Sequence, residues 1–255
     1  MSDAWTVEPI LRGTGWSSTC TLLTGRDARG IVDTGLSIQE GELVAALRAR
    51  GVAPGDVDFV INTHLHLDHC SNNCIFPRAR IYLSEAEWRW TDAFYSAIFA
   101  TRTPEQAALP FYPELPSHNL PLKTIRNVAR MVKLFWTRER VGEERFHWLE
   151  TSALPGGLTV LQTPGHTPHH ISLRVAGPVP VLIAGDAVLA EDAAARVRTM
   201  IPHNRVQFLA TRQALLDQGG VIVPGHGAMF TAHPEPGATS IPRAATQPNA
   251  RTSRS

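Results

Sequence analysis

Four side chains able to ligate a metal fall within six residues at His64-Leu65-His66-Leu67-Asp68-His69. Imidazole and carboxylate together suit zinc, manganese or iron. The stretch follows Val57-Asp58-Phe59-Val60-Ile61, an apolar run of strand character. Side chains of an extended segment alternate between two faces, so His64 and His66 point the same way and form a natural pair for one ion. Asp68 and His69 come where the chain must turn, which lets them face a second ion. Further candidates follow in order: His166 in Thr163-Pro164-Gly165-His166, Asp186 in Gly185-Asp186, and His226 in Pro224-Gly225-His226-Gly227. Each stands just past a strand-like run, beside Gly or Pro, where a loop is carried at the edge of a rigid sheet. A histidine-rich surface loop has no need of such partners.

The elements that must carry these loops follow from periodicity. Candidate strands over 6–11, 20–23 and 30–32, with Gly and Asp at the turns, read as a β-meander. Leu43, Val44 and Leu47 at helical spacing predict a helix over 40–50, ended by Gly51. A strand over 57–61 delivers the first motif, and Arg80-Ile81-Tyr82-Leu83 forms the next. Ser84 with Glu87 three residues on has the form of a capping box at a helix start. Residues 88–148 are rich in aromatics and broken by Pro104, Pro110, Pro113, Pro116 and Pro121. One basic helix is expected there over 122–140, with Val128, Met131, Val132 and Phe135 along its apolar face. Strands resume over 158–162, 170–175 and 179–184. A helix over 204–218 buries Phe208, Leu209, Leu215 and Leu216, and a last strand covers 221–223. Residues 1–233 read as one domain and 234–255, rich in Pro, Ser, Thr, Ala and Arg, as a disordered tail.

With these motifs in this order the chain resembles the metallo-β-lactamase-fold hydrolase superfamily over about residues 5 to 230. Ile31-Val32-Asp33-Thr34-Gly35 also looks like the family's early strand-and-turn motif, in which the acidic residue is structural. The resemblance implies an α/β fold, a four-layer αββα sandwich with a helical insertion around residues 88–148. It implies that His64, His66 and His166 hold one ion, that Asp68, His69 and His226 hold a second, and that Asp186 bridges them. Two Zn2+ are the implied cofactors, with Mn2+ or Fe2+ as alternatives, and a hydroxide between them the implied nucleophile. Asp68 is also the candidate catalytic residue, moving a proton to the leaving group. No Gly-x-Ser-x-Gly elbow offers a serine nucleophile. His170 matches a recurrent family position, while His169 stands where the family often has Gly and reads as a surface residue.

The expected reaction is hydrolysis of a carboxylic ester, lactone or thioester, as in the small lactonases and thioesterases of the superfamily. A phosphodiester or nucleic-acid substrate at the same site, or a non-catalytic metal-binding role, are the alternatives. Family lactonases often carry Tyr shortly after the bridging Asp, where this chain has Ala187-Val188-Leu189. The aromatics of 88–148 either line an apolar acyl pocket or pack as core or a dimer face. The charge on the 122–140 helix reads as a solvated face rather than an anion site. His203, before the last helix, is a candidate substrate contact. The 255-residue composition, 43% hydrophobic and 18% charged, is that of a globular protein, and a net charge of +1 offers no steering field for nucleic acid. No apolar run reaches the roughly twenty residues of a membrane span, and Met1-Ser2-Asp3-Ala4-Trp5 lacks signal-peptide character. Of the three cysteines, Cys70 and Cys74 read as small buried residues rather than a redox pair. The expectation is a cytoplasmic enzyme with a small-molecule substrate, neither nucleic acid nor membrane as partner, and a homodimer left open.

Overall fold

Leu22 and Leu23, Ile31 and Val32, and Val60 and Ile61 are sequence neighbours that point to opposite faces of one sheet, and all six are buried. A sheet apolar on both faces must be covered on both. The computed structural model, which describes residues 5–118, 121–192 and 201–233, shows how. The expected tail over 234–255 lies outside the described residues.

The first sheet begins with an antiparallel meander, β1 (Thr6–Leu11), β2 (Cys20–Thr24) and β3 (Arg29–Val32). After α1 (Glu40–Arg48), β4 (Phe59–Ile61) adds in parallel, and α2 (Leu67–Cys70) leads to β5 (Arg80–Leu83), also parallel. A long crossover holds α3 (Glu85–Phe99), α4 (Pro104–Ala107), α5 (Leu122–Phe135) and α6 (Arg138–Val141), and returns as the edge strand β6 (Phe146–Trp148). The second sheet contains β7 (Leu158–Gln162), β8 (Ile171–Val175) and β9 (Val181–Gly185), then, after α7 (Arg205–Leu216), β10 (Gly220–Pro224) and β11 (Phe230–Ala232). Its strand order is β11-β10-β9-β8-β7, with β9 and β10 parallel.

Leu23, Val32, Phe59, Ile61 and Tyr82 of the first sheet meet Ile171, Leu173, Val175, Ile183 and Val223 of the second. The outer face of the first sheet, with Ile31, Val60 and Ile81, packs on Leu43 and Leu47 of α1, Trp88 and Tyr95 of α3, and Val132 of α5. The outer face of the second, with Leu182 and Ile222, packs on Leu215 of α7. The result is the expected four-layer αββα sandwich. Among the described residues, no helix is long and apolar enough to cross a membrane.

The expected 122–140 helix is two helices. The chain turns extended at Trp136 (φ −82°, ψ 107°), and Thr137 Oγ1 caps α6 by accepting from Arg140 N–H at 3.1 Å. The break buries Trp136 against Trp88, with ring centroids 5.9 Å apart, and against Tyr95 at 4.4 Å. That burial outweighs one or two lost helical hydrogen bonds. Val128 lies on the exposed side of α5, whose buried positions are Ala129 and Val132. Leu209 of α7 is likewise exposed. The 88–148 segment also contributes to the main core, through Trp88, Tyr95, Val132, Trp136 and Val141.

Candidate metal centre

Four loops meet at one edge of the sandwich because β4, β7, β9 and β10 all end there. Asp186 follows β9, and His226 follows the parallel β10. His66 is the N-cap residue of α2, in extended conformation (φ −66°, ψ 150°), so the chain is straight through His64 and His66 and helical at Asp68 and His69. His66 Nδ1 consequently lies 3.0 Å from His64 Nε2 and 2.9 Å from His166 Nε2. Asp186 Oδ2 completes this cluster, 3.2 Å from His166 Nε2 and 3.9 Å from His64 Nε2. In the second cluster, Asp68 Oδ2 stands 3.6 Å from His69 Nε2 and 3.4 Å from His226 Nε2. Asp186 Oδ1 reaches these same nitrogens at 3.3 and 3.2 Å. The one carboxylate thus turns an oxygen to each cluster. The structure brings together His64, His66, His166 and Asp186 in one group and Asp68, His69 and His226 in another.

The donor set fits a pair of divalent cations. A tetrahedral ion with bonds of about 2.0–2.1 Å spaces its ligands by about 3.3–3.4 Å, close to the separations seen. Among the described residues, both oxygens of Asp186 and Nε2 of His69 are buried without a hydrogen-bond partner. Buried polar atoms left so are costly unless something else engages them. Burial pushes His64 and His166 well below the ordinary imidazole range and His66 down to about 4, so their lone pairs are open near neutrality. At His69 burial acts the same way, yet the carboxylates of Asp186, Asp33 and Asp68 outweigh it and hold the imidazole well above its usual range. At Asp186 burial favours the neutral acid, but His226, His69 and His166 hold it well below the carboxylate range. The second cluster therefore calls for positive charge, which protons or a metal ion can supply.

Outer contacts aim these groups. Asp33 Oδ1 accepts from Thr63 N–H at 2.9 Å, and Asp33 Oδ2 accepts from Thr63 Oγ1–H and from His69 Nδ1–H, both at 2.8 Å. Asp33 adopts φ 57°, unusual for a side chain with a Cβ, and that backbone turns its carboxylate into the site. His64 Nδ1 lies 3.2 Å from Thr63 Oγ1. His170 Nε2 accepts from Asp186 N–H at 3.1 Å, which puts its proton on Nδ1, 2.8 Å from Thr163 Oγ1. From there the hydroxyls of Thr163 and Ser172 carry the chain of hydrogen bonds to Ala184 O. Burial pushes His170 down to about 3, so it stays neutral and the chain keeps one direction. Gly225 must be glycine, because a Cβ there would sit 2.0 Å from Asp186 Oδ1.

The remaining histidines divide. His169, expected at the surface, is half-buried, and its φ is not positive, so a histidine fits where the family often has Gly. His203 N–H donates to His166 O at 2.9 Å, its Nδ1 lies 2.6 Å from Phe111 O, and its ring meets Trp90 at 5.7 Å. It is wedged between the His166 loop and the crossover.

The places of two buried residues beside the centre are not legible in the sequence. Tyr112 Oη lies 2.7 Å from His66 Nε2. Glu87 is buried with Oε2 accepting from Thr167 Oγ1–H at 2.8 Å, beside one ligand loop, and Oε1 facing Leu65 N–H at 3.5 Å in the other. Ser84 does cap α3, accepting from Glu87 N–H at 3.3 Å, while Glu150 accepts from Ser84 Oγ–H at 2.7 Å and from Glu85 N–H at 3.1 Å and Glu87 turns its carboxylate inward. The signal for Glu87 was its place on the stripe of Trp88, Thr91 and Tyr95, a buried face. Burial raises its carboxyl from 4.5 to about 7. The folded chain then holds a proton that the unfolded chain has lost, so this group's contribution to stability falls as pH rises through that window. Glu87→Gln, which cannot ionise, is expected to gain stability over the wild type, by a few kcal/mol, between those pH values and to keep a constant advantage above them. Urea midpoints across the window test this, and a pH-independent difference would refute it.

The chain is similar to known proteins in sequence and in fold. The family profile described as Metallo-beta-lactamase superfamily matches residues 13–226. Metallo-beta-lactamase domain-containing protein 1 of Homo sapiens is 31% identical over 219 residues, 80% of this chain and 60% of that protein. An N-acyl homoserine lactonase of Bacillus cereus is 26% identical over 171 residues, 66% of this chain and 53% of that protein. The chain thus spans less than two thirds of the length of these relatives. Among solved structures, AidC, a dizinc quorum-quenching lactonase in complex with a product, superposes with a TM-score of 0.57 at 19% identity, covering 90% of this chain and 80% of that one. The fold, the convergent loops and the profile match have one reading: this chain is a member of the metallo-beta-lactamase superfamily.

Proposed function

We propose that the protein is a metal-dependent hydrolase that binds two zinc ions and cleaves a small carboxylic ester, lactone or thioester. The observation that carries it is Asp186, whose two buried oxygens face two separate groups of histidines. His64, His66 and His166 would hold one ion, Asp68, His69 and His226 the other, with Asp186 shared. Bound there, two divalent cations supply Lewis acidity toward the substrate oxygen and make a water acidic enough to react near neutral pH. Asp68 is the proton carrier. Its carboxylate is 18% exposed at the mouth, with Oδ2 turned to the histidines and Oδ1 left to take a proton and return it to the leaving group. Trp90, Phe94 and Phe111 form an aromatic wall next to Tyr112 and His66, and His203 joins that wall as a substrate contact. The wall supports an apolar acyl substrate, as does the resemblance to N-acyl homoserine lactonases. The free state of Cys20, Cys70 and Cys74 supports a reducing, cytoplasmic setting.

The test is metal analysis of the purified protein, then a screen of lactones, acyl thioesters, aryl esters and phosphodiesters before and after chelation. Two equivalents of metal and an acyl hydrolysis that chelation abolishes and zinc restores are expected. Turnover that survives full metal removal would overturn the reading, and turnover of phosphodiesters alone would overturn the substrate class.

A further inference from the structure

The contact between Tyr112 and His66 joins the crossover to the metal centre. Tyr112 sits in turns that follow α4, where its N–H donates to Ala108 O at 2.8 Å and its carbonyl accepts from Leu115 N–H at 3.0 Å. Its ring is buried and held edge-on by Phe94 at 5.3 Å and Trp90 at 5.6 Å. The phenol has little freedom to point anywhere but at His66 Nε2, 2.7 Å away. The other ring nitrogen, Nδ1, faces His64 Nε2 and His166 Nε2 at about 3 Å. A neutral imidazole carries one proton on one of its two nitrogens. If Nδ1 carried it, the proton would occupy the space between three converging nitrogens and exclude a cation. A hydrogen-bond acceptor at Nε2 selects the other tautomer.

We propose that Tyr112 is a positioning residue of the tri-histidine cluster: its phenol oxygen accepts the Nε2 proton of His66 and keeps Nδ1 unprotonated and aimed at His64 and His166. This rests on reading that cluster as an ion site. The outer nitrogens of His64 and His69 meet Thr63 and Asp33, which belong to the ends of β4 and β3. His66 instead depends on the aromatic crossover that forms the proposed substrate wall. Affinity for the ion at the tri-histidine cluster is thereby set by the packing of that wall, whereas affinity at the Asp68, His69 and His226 cluster is not.

The experiment titrates metal-free wild type and Tyr112→Phe with Co2+, following heat and visible absorption, and reads the His66 tautomer by nitrogen NMR of the zinc-loaded proteins. Phe keeps the ring and its packing and removes one oxygen. The wild type is expected to bind two ions with His66 protonated at Nε2. In Tyr112→Phe one of the two ions should bind about 10–100-fold more weakly, with an altered Co2+ spectrum for that ion and none for the other. Two ions bound with wild-type affinities and spectra would overturn the proposal, as would a wild-type His66 protonated at Nδ1. A wild type that binds no metal would remove the reading of the centre itself. A wild type that binds two ions but hydrolyses none of the acyl substrates, with the selective loss still seen in Tyr112→Phe, would sustain this proposal while the hydrolase assignment fell.

Discussion

Asp68→Asn is expected to lower kcat/KM on the best acyl substrate by about 10²–10⁴-fold while the chain stays folded. Both halves of that outcome follow from where Asp68 stands. Among the described residues its carboxylate meets imidazole nitrogens alone, His69 Nε2 and His226 Nε2. Its backbone is held independently, within α2 and by Ser18 Oγ, which donates to Asp68 O. An amide of the same shape therefore leaves the loop in place but is a poorer ligand and cannot carry a proton. The check is kcat/KM together with the melting temperature of the metal-free protein. Turnover comparable to the wild type would remove Asp68 from the chemistry, and a collapsed melting temperature would reassign it to folding.

Asp33→Asn is expected to be nearly as damaging to turnover, by a different route. Asparagine tolerates the left-handed backbone at φ 57° and can still accept from Thr63 N–H. Its amide nitrogen, however, replaces the oxygen that accepts from His69 Nδ1–H. To pair with that amide, His69 must move its proton from Nδ1 to Nε2, the nitrogen that faces Asp68 and Asp186. A proton there takes the place of an ion. In serine-protease triads the same Asp-to-Asn change traps the wrong histidine tautomer and costs about 10⁴ in turnover. Metal analysis should show loss of the ion at the Asp68, His69 and His226 cluster with the tri-histidine ion retained, the converse of Tyr112→Phe. Asp33→Ala, which removes the carboxylate that three buried donors share, should in addition destabilise the chain by about 3–5 kcal/mol. Full metal loading and normal turnover in Asp33→Asn would show that this carboxylate does not orient His69.

Asp33 also marks a limit of sequence reading. Its strand-and-turn setting was visible, and a structural role was the expectation. Its grip on His69, 36 positions away, depends on β3 and β4 lying side by side. The same holds for Tyr112, 46 positions from His66 in a segment broken by prolines, where no spacing rule applies. Trp136 breaks a helix that local periodicity would have continued, because its partners Trp88 and Tyr95 lie on another helix. The short edge strands β6 and β11, three residues each, carry too little pattern to separate them from loop.

The sequence by itself carried the proposed ligands and, through its resemblance to the superfamily, the two-sheet sandwich. A strand end followed by Gly or Pro and a histidine can be read without any distant contact. Only the tertiary structure decided which oxygen of Asp186 faces which cluster, which partners meet the ring nitrogens of His66, His69 and His170, and that a tyrosine from the crossover stands against His66. Those are properties of hydrogen bonds between residues far apart in the chain, and such partners are chosen by the packing of layers, not by local sequence.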